Sequence, residues 1–181
     1  RVDVEVEDIA LRFFDYELKN AGHIRMSVNR QVLQVDALRL VGEGTELDLA
    51  GSVDLPKQAL ALTANGAANL AVLQGFTPEV RSSGRAEVAA RLTGTVEAPV
   101  VSGTALLSDG RLRHFGVPHA LEALNGIITF TATGVQLDGL SGRLAGAPVR
   151  FAGRLGLTGY TLSEYDVSAS GTDMRLRFPE G

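Results

Sequence analysis

Apolar and polar residues alternate along most of this chain. Val2, Val4 and Val6 alternate with Asp3, Glu5 and Glu7, and Ile24, Met26 and Val28 alternate with His23, Arg25 and Ser27. Leu47, Leu49, Gly51, Val53 and Leu55 alternate with Glu46, Asp48, Ala50, Ser52 and Asp54. Val149, Phe151, Leu155 and Leu157 alternate with Arg150, Ala152, Arg154 and Gly156. A period of two places successive side chains on opposite faces of a strand. Each strand then has one apolar and one wetter face, the pattern of antiparallel sheet rather than of parallel strands buried on both sides. Gly42-Glu43-Gly44, Asp109-Gly110, Thr133-Gly134 and Leu157-Thr158-Gly159 read as turns between the runs. Helical spacing is confined to two short segments. In residues 69–74, Asn69 is placed to cap and Leu70 and Leu73 lie one turn apart, with Gly75 and Pro78 to end the turn. In residues 118–124, Leu121 and Leu124 are similarly spaced.

The pattern repeats. Gln34-Val35-Asp36-Ala37-Leu38 corresponds to Gln136-Leu137-Asp138-Gly139-Leu140, an offset of 102 residues (34 to 136). The same offset aligns Gly44 with Gly146, Leu47 with Val149, Leu49 with Phe151, Ala50-Gly51 with Ala152-Gly153, Val53 with Leu155, and Leu55 with Leu157. Upstream, Gly22, Ile24, Met26 and Val28 resemble Gly126, Ile128, Phe130 and Ala132 after a two-residue loop difference. Apolar positions are kept while their polar neighbours vary, as a repeated strand meander requires. Repetition of this kind extends a structure along an axis instead of closing it around one site. The expected fold is all-β: an elongated, curved antiparallel sheet of repeated meanders, with few short helical turns. The whole of residues 1–181 reads as one β-repeat segment, with repeats at about 22–73 and 126–178. The alternation and the repeat together assign Ile24, Met26, Leu47, Leu49, Val53, Leu55, Ile128, Phe130, Val149, Phe151, Leu155 and Leu157 to one common apolar surface. They assign Asp48, Asp54, Arg150 and Arg154 to water. The same apolar residues would equally serve the core of a closed sandwich or barrel.

Composition narrows the chemistry. Glycine is 21 of 181 residues and aromatics are 6%, with no Trp, so the apolar surface is smooth and aliphatic, unlike a pocket with a few anchors. The net charge of −4 lacks the basic footprint that nucleic-acid binding needs. The absence of cysteine removes disulfides, thiolate catalysis and thiolate metal sites. No apolar run reaches the roughly 18–20 residues that span a bilayer. The first residues already lie inside the alternation, which reads as a segment of a longer protein. His114 and His119, five apart across Pro118, pair poorly as metal ligands. Asp3, Glu5, Glu7 and Asp8 suit the wet face of an edge strand better than acid catalysis. Ser82-Ser83-Gly84 and Ser102-Gly103 lack a nucleophile-elbow context, and no Lys follows the Gly-rich loops to cradle phosphate. Neither a catalytic residue nor a cofactor or metal site is expected.

Three stretches carry a family resemblance. Residues 92–103, Leu-Thr-Gly-Thr-Val-Glu-Ala-Pro-Val-Val-Ser-Gly, resemble a recurring GT…P…G strand pair. Residues 121–130 follow as L-x-x-L-x-G-x-I-x-F, and then Leu137-Asp138-Gly139-Leu140-Ser141-Gly142. In this order, and with Arg175-Leu176-Arg177-Phe178-Pro179-Glu180-Gly181 at the end, the chain from about residue 20 onward is similar to the TamB/AsmA-like family. The resemblance implies a long sheet curled into an open, taco-shaped groove with an apolar interior. It also implies a periplasmic segment of a bacterial envelope protein, held in the inner membrane by an anchor outside this segment. Phospholipid movement between inner and outer membranes is the implied activity, with acyl chains in the groove. The alternative is a scaffold for outer-membrane protein assembly, acting with a barrel partner of the TamA type.

Overall fold

The computed structural model describes residues 2–13, 16–75, 79–116, 118–158 and 161–172. Thirteen strands account for nearly all of them: β1 (Val2–Val6), β2 (Ala10–Phe13), β3 (Tyr16–Asn20), β4 (Ile24–Asn29), β5 (Val32–Gly42), β6 (Thr45–Asp54), β7 (Ala59–Asn69), β8 (Val80–Gly94), β9 (Pro99–His114), β10 (Leu121–Thr131), β11 (Gly134–Leu144), β12 (Ala147–Thr158) and β13 (Thr161–Gly171). They form one antiparallel sheet in the order β1-β4-β5-β6-β7-β8-β9-β10-β11-β12-β13. From β4 onward each strand pairs with the next in sequence, so the sheet grows by successive hairpins. The β2–β3 hairpin leaves this path. β3 pairs with β5 only through Lys19↔Val41 and Asn20↔Leu40, along the stretch of β5 that the shorter β4 does not reach.

The sheet is open. β1 and β13 lie at opposite ends of the order and do not pair with each other. Its surface reflects this: the chain exposes 11698 Å², against about 8,400 Å² for a compact monomer of 19.1 kDa. Among the described large side chains only Ile24 is fully buried.

The 102-residue spacing reappears in the hydrogen-bonded ladders. β5 pairs β6 through Val35↔Gly51, then Leu38↔Leu49, with a bulge between. β11 pairs β12 through Leu137↔Gly153, then Leu140↔Phe151, with a bulge at the same place. The preceding strand follows the same spacing without any loop difference: Met26↔Val35 and Val28↔Leu33 correspond to Ile128↔Leu137 and Phe130↔Val135. Ladder position therefore matches Ile128 to Met26, not to Ile24 as the sequence alignment has it. Apolar periodicity is unchanged by a two-residue slide, so it is blind to this difference.

Other expectations are corrected. Residues 121–124 open β10 and are not helical; Ala123 takes φ 49°, and the ladder to β9 and β11 shifts register around it. Asp109-Gly110 is no turn but lies inside β9, with Asp109 at φ 49° and its N–H donating to Asn125 Oδ1 at 3.0 Å. Leu157 and Thr158 still belong to β12, and Gly159 lies outside the described residues. Residues 69–74 form a 3-10 helix, Leu70–Gly75, and the cap is Asn69, whose Oδ1 accepts from the Ala71 N–H at 2.9 Å.

Candidate functional site

The ladders carry two continuous apolar rows across nine strands. One runs Leu38, Leu49, Ala64, Ala90, Gly103, Phe130, Val135, Leu155, Tyr165; the other runs Leu40, Leu47, Gly66, Val88, Ala105, Ile128, Leu137, Gly153, Val167. Directly paired residues share a face, so every member of both rows lies on one side of the sheet. The intervening row, Arg39, Asp48, Asn65, Ala89, Thr104, Thr129, Gln136, Arg154, Asp166, lies on the other. Leu49 and Phe151 thus face the same way, since Phe151 and Leu155 stand in an unbroken register with β13.

The sequence-derived residues distribute along this face. Ile24 and Val149 are buried, and Met26, Leu47, Leu49, Val53, Ile128, Phe130, Phe151 and Leu155 are half-buried. Leu55 departs from the set: it follows β6 in a turn, donates its N–H to Gln31 O at 2.9 Å, and is 49% exposed. The side chain of Leu157 lies outside the described residues. Asp48, Arg150 and Arg154 are exposed on the polar face, whereas Asp54 is half-buried and accepts from the Lys57 N–H at 3.1 Å. Sequence reading missed Leu62, Val88, Leu92 and Ala105 on the same face. In β7 and β8 alanine occupies both faces, which erases the contrast that reveals a period of two.

Among the described residues all 13 strands belong to one sheet, and there is no second sheet to cover the apolar face. Cover comes locally from the 3-10 helix. Leu70 is buried against Ala86, Ala105, Leu107 and Leu140, with Val88, Ile128, Phe130, Leu137 and Phe151 packed around that cluster. Polar bonds fix the helix in place: Asn69 donates its N–H to Thr45 Oγ1 at 2.8 Å and its Nδ2 to Glu43 O at 3.1 Å, while buried Ser82 donates Oγ–H to Leu70 O at 2.7 Å. The small residues at 86 and 105 leave the room that Leu70 fills. Leu70→Ala is expected to lower stability by about 2–4 kcal/mol through the cavity it leaves, measured as a lowered urea midpoint at unchanged m-value.

The polar face is held by ion pairs. Arg39 grips Asp48 through two bonds, Nε to Oδ1 at 2.7 Å and Nη2 to Oδ2 at 3.1 Å, and lies 3.1 Å from Glu46. The Arg39 hydrogen bond holds the Asp48 carboxyl below its ordinary range, and Asp48 in turn raises Arg39. A carboxyl depressed in the folded state stabilises it above the unfolded carboxyl pKa, and that contribution is lost as pH falls through the folded value. The wild type should therefore lose more thermal stability than Asp48→Asn between pH 5 and pH 2, and salt should narrow the gap because the pair is exposed.

Among the described residues, no group of three or more His, Asp or Glu is placed to hold a metal. Among the same residues no helix is long and apolar enough to cross a membrane. What the face offers is an aliphatic surface with Gly and Ala along its middle and few aromatic interruptions. Comparisons with protein-family models, with curated proteins and with solved structures give no match.

Proposed function

We propose that this segment is a conduit for phospholipid acyl chains, part of a periplasmic bridge between the inner and outer membranes as in the TamB/AsmA-like family. The observation that carries this reading is the pair of unbroken apolar rows from β5 to β13, with no second sheet over them among the described residues and only the 3-10 helix packed on part of them. An acyl chain gains about 0.8 kcal/mol per buried CH₂, on the order of 12 kcal/mol for about 16 carbons. Movement along the face needs that gain to vary little from step to step. Repeated Leu, Val and Ile over Gly and Ala meet that need, and the headgroup stays at the open side. Native mass spectrometry of the gently purified chain tests the reading. Co-purified phospholipid, displaced by added fatty acid, is the expected result; lipid-free protein that binds no fatty acid counts against it.

A second reading is favoured by β13. It is an 11-residue strand at the end of the sheet order whose outer side has no partner strand among the described residues, with Tyr165 79% exposed on the apolar face. Such an edge can take an added strand from an unfolded barrel protein, as a scaffold working with a TamA-type barrel would. Saturable binding of an unfolded barrel peptide, with no lipid binding, would select this reading over the first.

A further inference from the structure

Three guanidinium groups meet on the polar face where β8 begins and β9 ends. Register places Arg81 directly opposite Arg113, and Ser83 opposite Arg111. Like charges facing each other across adjacent strands destabilise a sheet, and here their own surroundings answer them only in part. Arg111 lies 3.5 Å from Glu122. Arg81 donates Nη1–H to the neutral Gln74 Oε1 at 2.9 Å and stacks 5.6 Å from the Phe115 ring centroid. Glu79 is engaged by His114 at 3.3 Å. The Arg113 side chain has neither an ion pair nor a hydrogen bond among the described residues. Arg81, Arg111 and Arg113, with Ser82, Ser83 and Phe115, line a surface depression of about 330 Å³.

We infer that this depression binds a phosphate or phosphodiester group. The guanidinium fork matches the paired oxygens of a phosphate, and an anion between Arg81 and Arg113 turns their repulsion into two attractions. Gln74 presets Arg81, since its Nε2 is itself anchored on Ser82 O at 3.0 Å. The site lies at the strand-end rim: Val80↔His114 is the last register pair there, and Gln74 belongs to the 3-10 helix that packs on the apolar face. A phosphate held here lies at the strand ends, across the rim of the sheet from the apolar rows, and a phospholipid headgroup reaching round that rim would be one source of it. Only that choice of source rests on the conduit reading; the anion site does not.

The test uses the 181-residue chain, Arg113→Gln, Arg81→Gln and, as a control away from the depression, Arg154→Gln. Thermal unfolding is followed at low salt with sodium phosphate or with sodium chloride at equal ionic strength. Phosphate is expected to raise Tm above the chloride value for the wild type and Arg154→Gln but not for the two depression variants. Without phosphate, Arg113→Gln should unfold no earlier than the wild type, because the like-charge pair is gone. Titration of inorganic phosphate and of glycerophosphoglycerol, followed by ³¹P NMR, should show affinity falling about tenfold or more in either variant, the loss of one charge-assisted contact. Flotation with phosphatidylglycerol vesicles, against vesicles of an uncharged glycolipid, then separates the sources. Arginine-dependent flotation assigns a lipid headgroup, and binding of the soluble anions alone assigns free phosphate; both uphold the site. Equal effects of phosphate and chloride, or unchanged affinity in both variants, would overturn it. Fatty-acid uptake in phosphate-free buffer reports on the trough separately, so either idea can fail without the other.

Discussion

Leu49→Arg and Phe130→Asp should each yield a protein that still folds but no longer takes up a fluorescent fatty acid. Both positions lie in the same apolar row, two ladder steps to either side of Ala90 in β8, and both are half-buried. In a closed sandwich an unpaired charge at either site would cost several kcal/mol, comparable to the whole stability of a domain. On a single-layered sheet the Arg stem can lie along the apolar face while its head reaches water. The folded state then survives at lowered Tm, but the path is interrupted by a hydrated charge. If about three or four CH₂ groups lose contact, the affinity for the chain falls by roughly two orders of magnitude. Thermal unfolding and fatty-acid titration of both variants decide the matter. Loss of cooperative folding in both would mean that the apolar face is a closed core. Retained folding with unchanged uptake would remove the conduit reading's main physical support.

Gly51→Val and Gly153→Val are expected to be among the most destabilising single substitutions in the sheet. The two glycines occupy the same position of the 102-residue repeat, at φ 134° and 147°, a region that side chains rarely adopt. A Cβ at Gly51 would meet Ala61 O at 2.1 Å and Leu62 Cα at 2.9 Å; at Gly153 it would meet Asp166 O at 2.0 Å. These obstacles are backbone atoms of the next strand, so they yield only if the ladder opens. Backbone strain and overpacking together cost about 2–6 kcal/mol, a large share of a typical total. Gly139→Ala is the matched control: its φ is 64° but nothing lies within 4 Å of the added Cβ, so it should cost roughly 1–2 kcal/mol. Urea unfolding of the three variants gives the comparison. If Gly51→Val shifts the midpoint no further than Gly139→Ala, these glycines do not set the close approach of neighbouring strands.

The position of these glycines illustrates how much of the fold was legible beforehand. The shared Gly51 and Gly153 were visible as part of the repeat, but their reason was not, because the obstructing oxygens belong to Ala61 and Asp166 on other strands. The same holds for the bulges at 36–37 and 138–139. The sequence showed a repeated Asp followed by a small residue; only the ladder shows that register shifts there in both copies. Asp109-Gly110 and residues 121–124 differ from their local signals for a related cause. Gly, Pro and an apolar spacing of three suit a turn or a helix locally, yet pairing with neighbours on both sides makes these stretches strand, with the irregularity absorbed as bulges.

Side-chain alternation is a property of a single strand, fixed by the geometry of consecutive residues. The sequence alone therefore determined the all-β class, the two faces and most residues of the apolar one, from Ile24 to Leu155. Register, curvature and openness are properties of pairs of strands. Tertiary structure alone decided that Met26 is the counterpart of Ile128, that Leu70 packs onto the apolar face, and that β1 and β13 stay apart. It also decided that Arg81 stands opposite Arg113. Residues 32 positions apart become neighbours only when two strands meet, because the charges and volumes that then interact have no contact along the chain.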